Sequence, residues 1–181
     1  GWWRAVLANA WWGVAVFCGV AFMAEMARLI CSPGQGVLHP EPDARCPLAD
    51  TARIEQAETA WAELKRLDKK IIPVAYVNSN ADLKALCGSN DGTVCTSANA
   101  QRGFEYAFSK GDSVFFFPDE NLGRNTAHAL GIGDHEMFLW DPAEGIKNTD
   151  KDRVKKAKVF LWKGYCYVHT EFLPSDVLKV R

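Results

Sequence analysis

Between Ile54 and Trp162 the chain alternates short, mostly apolar runs with segments whose apolar residues recur every three or four positions. A run apolar at nearly every position has no wet face, so as a strand it must be covered on both sides, as the strands of parallel sheets are. Ile71 to Val77, Thr93 to Cys95, Ser113 to Phe117, Met137 to Trp140 and Lys158 to Trp162 are the predicted strands. Ala81 to Cys87, Ser97 to Ser109 and Asn121 to Leu130 are predicted helices, the second with Ala100, Phe104, Ala107 and Phe108 inward. An earlier helix carries Ile54, Ala57, Trp61, Leu64 and Leu67, with Asp50-Thr51 offered as its N-cap, and Leu173 to Val180 forms a last one. Strands spaced by helices build βαβ units, so the expected fold class is α/β: short parallel sheets with flanking helices.

The N-terminus admits two readings. Ala5 to Ala24 is uncharged over twenty residues, long enough to cross a bilayer as a helix. Asn9, Gly13 and Gly19 interrupt it, and Val14 to Cys18 is β-prone, so it also reads as a short helix followed by a buried central strand over Val14 to Val20. The second reading is preferred and membrane insertion is not expected. With Gly1 first and only Arg4 as a charged start, a secretory signal is not expected either.

A chain of 181 residues with 48% hydrophobic side chains can bury a substantial core without disulfides. Its net charge of -1 excludes the basic field that a nucleic-acid partner requires. None of the six cysteines forms a Cys-x-x-Cys pair, which points to reduced thiols, either small buried hydrophobes or metal ligands gathered from distant loops. The polar stretch Asp141 to Ala157 breaks the alternation, and Lys147 to Lys158 holds six basic residues against two acidic ones. It reads as a solvated insertion loop, with a docking patch for an acidic partner as the alternative.

In an open parallel sheet, ligands collect at the carboxyl ends of the strands. The junctions there are Asn78-Ser79-Asn80, Thr96-Ser97-Ala98-Asn99, Pro118 to Arg124 and Lys163 to His169. Hydroxyls and free amides at the start of the 97–109 helix suit a phosphate or carboxylate, although Thr and Ser are also ordinary N-caps. Of the metal patterns, His128 and His135 lack the Glu base of a zinc-protease helix, and Cys166 with His169 has ligand-like spacing but no second pair. A cluster held by single cysteines from separate loops, Cys46 and Cys166 among them, stays open.

Six strings, in order, resemble the quinolinate synthase family. They are Phe17-Cys18-Gly19-Val20-x-Phe22-Met23-Ala24-Glu25; Ala44-x-Cys46-Pro47-Leu48-Ala49-Asp50; Tyr76-Val77-Asn78-Ser79-x-Ala81-x-Leu83-Lys84-Ala85; Val94-Cys95-Thr96-Ser97-Ala98-Asn99-Ala100; Phe117-Pro118-Asp119-x-Asn121-Leu122-Gly123-Arg124-Asn125-Thr126-Ala127; and Trp162-Lys163-Gly164-x-Cys166-x-Val168-His169-x-x-Phe172. Ala21 stands where the family string carries His, and Arg45 where it usually carries Gly.

The resemblance implies three similar α/β domains, each giving one cysteine to a [4Fe-4S] cluster. That cluster acts as a Lewis acid on the condensation product of iminoaspartate and dihydroxyacetone phosphate. It implies Cys46 and Cys166 as cluster ligands, Tyr76 and Asn78 as catalytic contacts, and Thr96, Ser97 and Asn99 as substrate-binding residues. Residues 1–50 are then the remainder of a first domain, and 51–181 a second domain with an insertion loop at 141–157. The third ligand is absent from this chain, so the cluster is not expected to be held by the chain alone. The second reading is a non-catalytic relative serving as a structural or docking subunit with protein partners. Either suits a soluble protein of cytoplasm or of an organelle matrix or stroma.

Overall fold

The computed structural model describes residues 13–146 and 151–180. Among them seven strands form two parallel sheets. In the smaller, β1 (Val14–Val16) pairs with β2 (Gly36–Leu38) across the helix α1 (Ala21–Ile30). The larger contains β3 (Ile71–Tyr76), β4 (Thr93–Cys95), β5 (Ser113–Phe117), β6 (Met137–Trp140) and β7 (Val159–Trp162), in the spatial order β4-β3-β5-β7-β6. The helices α2 (Ile54–Leu64), α3 (Ala81–Gly88), α4 (Ala100–Lys110), α5 (Glu120–Ala129) and α6 (Lys151–Lys156) flank or connect its strands, and α7 (Tyr167–Glu171) and α8 (Pro174–Lys179) follow. The α/β class expected from the alternation is the one observed.

Each strand of the larger sheet sends alternate residues to opposite faces, and both faces are dry. Phe115 and Phe117 face α2 and α3 together with Trp140, Phe160 and Trp162. Val114 and Phe116 face α4 and α5 with Val74, Phe104 and Leu161. Phe115 is the hub of the first face: its ring centroid lies 6.4 Å from Trp61, 5.2 Å from Phe117 and 6.3 Å from Trp162. Burying one such ring contributes about 1.5–3 kcal/mol.

Several boundaries differ from expectation for identifiable reasons. The strand expected over Val14 to Val20 ends at Val16, and it is not a buried central strand. Val14 and Val16 are 53% and 64% exposed, with β2 as the partner strand among the described residues. The chain then bends at Gly19, where the Phe17 ring occupies the space a Cβ would need and the carbonyl accepts from His39 Nε2 at 2.7 Å. The helix proposed ahead of this strand falls outside the described residues. No described helix is long and apolar enough to cross a membrane.

Asp50-Thr51 do not cap α2. Asp50 is held by Arg45 and the Thr51 hydroxyl by the Leu48 carbonyl at 2.7 Å, so Ala49–Thr51 form a 3₁₀ turn and Arg53 takes the N-cap position. The stretch 141–157 is not all loop, because Val154 and Ala157 join the core and draw α6 onto it. The single helix expected over Leu173 to Val180 is α8 alone, begun at Pro174, whose missing N–H suits a first turn. α7 precedes it.

Gly123 lets α5 lie close on the sheet: a Cβ there would come within 2.5 Å of Leu161 and 2.6 Å of Phe116. Gly123→Ala is expected to lower stability by about 1–3 kcal/mol through overpacking. Urea unfolding of the two proteins measures it, and an unchanged midpoint would show that the helix can move away at no cost.

Candidate functional site

β4 and β5 lie on opposite sides of β3, so chain connections leave its carboxyl end in opposite directions and open a crevice there. A cleft of about 400 Å³ occupies that end of the sheet. Its lining comes from four strand ends: Tyr76 as the last residue of β3, Ser97 after β4, Asp119, Asn121, Leu122 and Asn125 after β5, and Cys166, His169 and Thr170 after β7.

The junction after β5 is fixed by Asp119, which is 3% exposed and caps α5: its Oδ1 accepts from the Leu122 amide at 2.9 Å. Next to it the Glu120 amide donates to the Gly164 carbonyl at 2.7 Å, tying this junction to the turn after β7. That turn needs a glycine, because a Cβ on Gly164 would meet the Pro118 carbonyl and Thr51.

Tyr76 is half-buried at the mouth of β3. Burial raises its phenol pKa above the ordinary value, the Asp119 carboxylate pushes the same way, and a hydrogen bond with Ser97 partly opposes them. Tyr76 therefore stays protonated at neutral pH and can donate a hydrogen bond to an anionic or carbonyl oxygen. The cleft thus offers a phenol, a serine hydroxyl, a thiol and an imidazole, drawn from three strand junctions.

The segment bearing Cys46 is anchored nearby. Arg45 grips Asp50 in a fork at 2.6 and 2.8 Å, which with the nearby positive charge holds the Asp50 carboxyl below its usual range. Asn80 also hydrogen-bonds Asp50, and the Trp162 indole donates to the Thr51 carbonyl at 3.0 Å. The loop after β3, the Cys46 segment and the turn before Cys166 are therefore knitted together.

Of the residues singled out from the sequence, Tyr76, Ser97 and Cys166 come together in the cleft. Thr96 and Asn99 flank it but bond each other: Asn99 Oδ1 accepts from the Thr96 amide at 2.6 Å and hydroxyl at 2.9 Å. Ser97–Asn99 form a 3₁₀ turn, so the helix expected from Ser97 starts at Ala100. Asn78, in the loop beyond Tyr76, and Cys46, on its anchored segment, are partly buried and do not line this cleft. Asp119, Asn121, Asn125 and Thr170 were not selected from the sequence. The strand-end rule marked the segment holding Asp119 and Asn121 and stopped one residue short of Asn125 and of Thr170, and which side chains turn inward depends on the helices that follow.

All six cysteines are free thiols. Burial drives the Cys95 thiol up to about 12 and that of Cys87 further, so both are apolar fillers at neutral pH. Cys46 and Cys166 are partly exposed. Among the described residues no three Cys, His, Asp or Glu side chains gather as a metal-binding group. Two thiols fall short of a cluster's ligand set, so these residues do not by themselves fit a [4Fe-4S] group.

A family model described as quinolinate synthetase A protein matches residues 8–181. The quinolinate synthase of Haloarcula marismortui is 49% identical over 170 residues, covering 92% of this chain and 44% of that protein. That of Acidobacterium capsulatum is 45% identical over 169 residues, 92% of this chain and 45% of the relative. That of Halobacterium salinarum is 47% identical over 178 residues, 96% and 46%. The chain thus spans less than half the length of these curated relatives.

Asp119→Asn retains a good N-cap and removes the charge facing Tyr76. Stability should change by less than about 1 kcal/mol, while the Tyr76 phenol titrates at lower pH than in the parent. Absorbance titration of phenolate formation reads this, and an unshifted Tyr76 would mean that Asp119 does not act on it.

Proposed function

The chain belongs to the quinolinate synthase family, and on that premise we propose that its strand-end cleft is part of the site where iminoaspartate and dihydroxyacetone phosphate are condensed to quinolinate. One observation carries the reading: Tyr76, Ser97 and Cys166, from separate strand junctions, share one cleft. The domain division proposed with it assigns residues 1–50 to the remainder of a first α/β unit and 51–181 to a second. The setting proposed is soluble, in cytoplasm or an organelle matrix or stroma.

In this reading Tyr76, held protonated, donates to a carbonyl or carboxylate oxygen of the condensing intermediate, and the Asn78 amide orients it from the adjoining loop. Ser97 and the amides opening its 3₁₀ turn receive the phosphate or a carboxylate, with Thr96 and Asn99 shaping that turn. A charge-assisted hydrogen bond of this kind contributes on the order of 1.5–3 kcal/mol. One oxygen of the Asp119 carboxylate is taken up by the Leu122 amide in capping α5.

The family carries a [4Fe-4S] cluster. Cys46 and Cys166 are proposed as two of its thiolates, and by themselves they do not complete the ligand set.

Calorimetric titration of dihydroxyacetone phosphate into the chain tests the site. Binding is expected to weaken at least about ten-fold, or 1.4 kcal/mol, in the Tyr76→Phe/Ser97→Ala double mutant. If the parent binds neither dihydroxyacetone phosphate nor a dicarboxylate, the proposal fails in favour of a structural or docking subunit. Anaerobic reconstitution with iron and sulfide should leave this chain well short of about four irons, the complement of a [4Fe-4S] cluster. A full complement would reveal a ligand set that Cys46 and Cys166 do not provide.

A further inference from the structure

Lys84 on α3 is 8% exposed, an unusual position for a lysine, which is rarely fully buried unless paired. Its Nζ donates to the Ser79 carbonyl at 2.5 Å and lies 5.5 Å from the ring centroid of Phe22 on α1. The carboxylates facing it are Glu25, from α1, and Asp82, from its own helix. Burial outweighs both and brings the ammonium pKa down to about 8, so holding a cation here is costly. An apolar side chain of similar volume would often be as stable or more so.

What the lysine holds is the loop leaving β3. Ser79 is fully buried; its hydroxyl donates to the Tyr76 carbonyl at 2.7 Å and its amide to the Val77 carbonyl at 2.9 Å. Those two bonds curl residues 76–79 into a tight turn, and the Ser79 carbonyl leaving that turn is the one Lys84 takes. One residue further on, Asn80 is bonded to Asp50, and the Ala81 amide donates to Glu25 Oε2 at 2.8 Å. The loop between Tyr76 and Ala81 is thereby pinned to α1, to the Cys46 segment and to α3, with Asn78 in its middle.

We propose that Lys84 is a positioning residue: by clamping the Ser79 carbonyl against α1 it fixes the 76–80 turn, and with it the directions in which Tyr76 and Asn78 present their side chains. The inference deepens the reading of the cleft as a substrate site and rests on it. It assigns the buried cation a task in site geometry that bulk stability does not require.

The test uses the full chain with Lys84→Met, which keeps the length and removes the donor, and Lys84→Arg, which keeps a cationic donor. Dihydroxyacetone phosphate affinity, the unfolding midpoint and amide hydrogen exchange are measured on each. Lys84→Met should weaken binding at least ten-fold and speed exchange at Ser79 and Ala81 at least ten-fold, while exchange along Ser113–Phe117 stays as in the parent. Lys84→Arg should recover most of both. Unchanged loop exchange with parental affinity would overturn the proposal, as would an equal acceleration in β5, which is the signature of a lysine acting only on global stability. If the parent itself binds no dihydroxyacetone phosphate, the proposed function fails, and loop-specific exchange still decides whether Lys84 fixes the turn. Should Lys84→Met not fold, Ser79→Ala removes the next link, to Tyr76. Loop-specific acceleration there supports the relay, and none overturns it.

Discussion

The five residues of β5, Ser113–Phe117, are buried along their whole length, and the remaining strands and helices are arranged around that fact. A strand dry on both faces needs a hydrogen-bonded neighbour on each edge and a helical layer on each side, because the cost of a bare backbone or an exposed aromatic face has to be removed everywhere. β3 and β7 supply the edges, α2 and α3 one layer, α4 and α5 the other. Aromatic and aliphatic side chains fill most of both layers among the described residues. Polar side chains gather instead at the carboxyl ends of the strands, and the cleft lies there.

At that end, short-range polar contacts take over from apolar packing. The Glu120 amide on the Gly164 carbonyl, the Ala81 amide on Glu25 and the Trp162 indole on the Thr51 carbonyl join separate segments, while the Asp119 cap, the Arg45–Asp50 fork and the Lys84 clamp fix each segment internally. These contacts differ in weight. Arg45–Asp50 is largely exposed and screened by solvent, so as an ion pair it adds little, and its geometry matters more than its energy. The Lys84 contact is buried, where losing a partner leaves a polar group without water and costs more. Arg124, shared between Glu120 and Asp134 at 2.7 Å each, belongs to the first class and secures the outer side of α5.

Much of the fold was legible in the sequence. Ser113-Val114-Phe115-Phe116-Phe117 and Val159-Phe160-Leu161-Trp162 admit few readings other than fully covered strands. The helical spacing of Ala100, Phe104 and Ala107 names the face that packs on them. What misled was local polarity seen without its partners: Asp50-Thr51 look like a cap until Arg45 and Leu48 claim them, and 141–157 looks like loop until Val154 finds the core. Val14 to Val20 has strand composition, but Gly19 and the bend to α1 cut it short.

By itself the sequence determined the class of the fold, the faces of its helices, the strand ends as the place to look, and through six ordered motifs the family. These depend on periodicity and on residue types that act through their immediate neighbours, information a linear string retains. Only the tertiary structure decided which junction residues converge. Tyr76, Ser97 and Cys166 meet because the strand order places β4, β3, β5 and β7 side by side, while Thr96 and Asn99 turn to each other. Lys84 stands in one of those motifs, but nothing in the string itself says that it is buried. That it is buried against Phe22 follows from a contact between segments some sixty residues apart, which spacing along the chain does not encode.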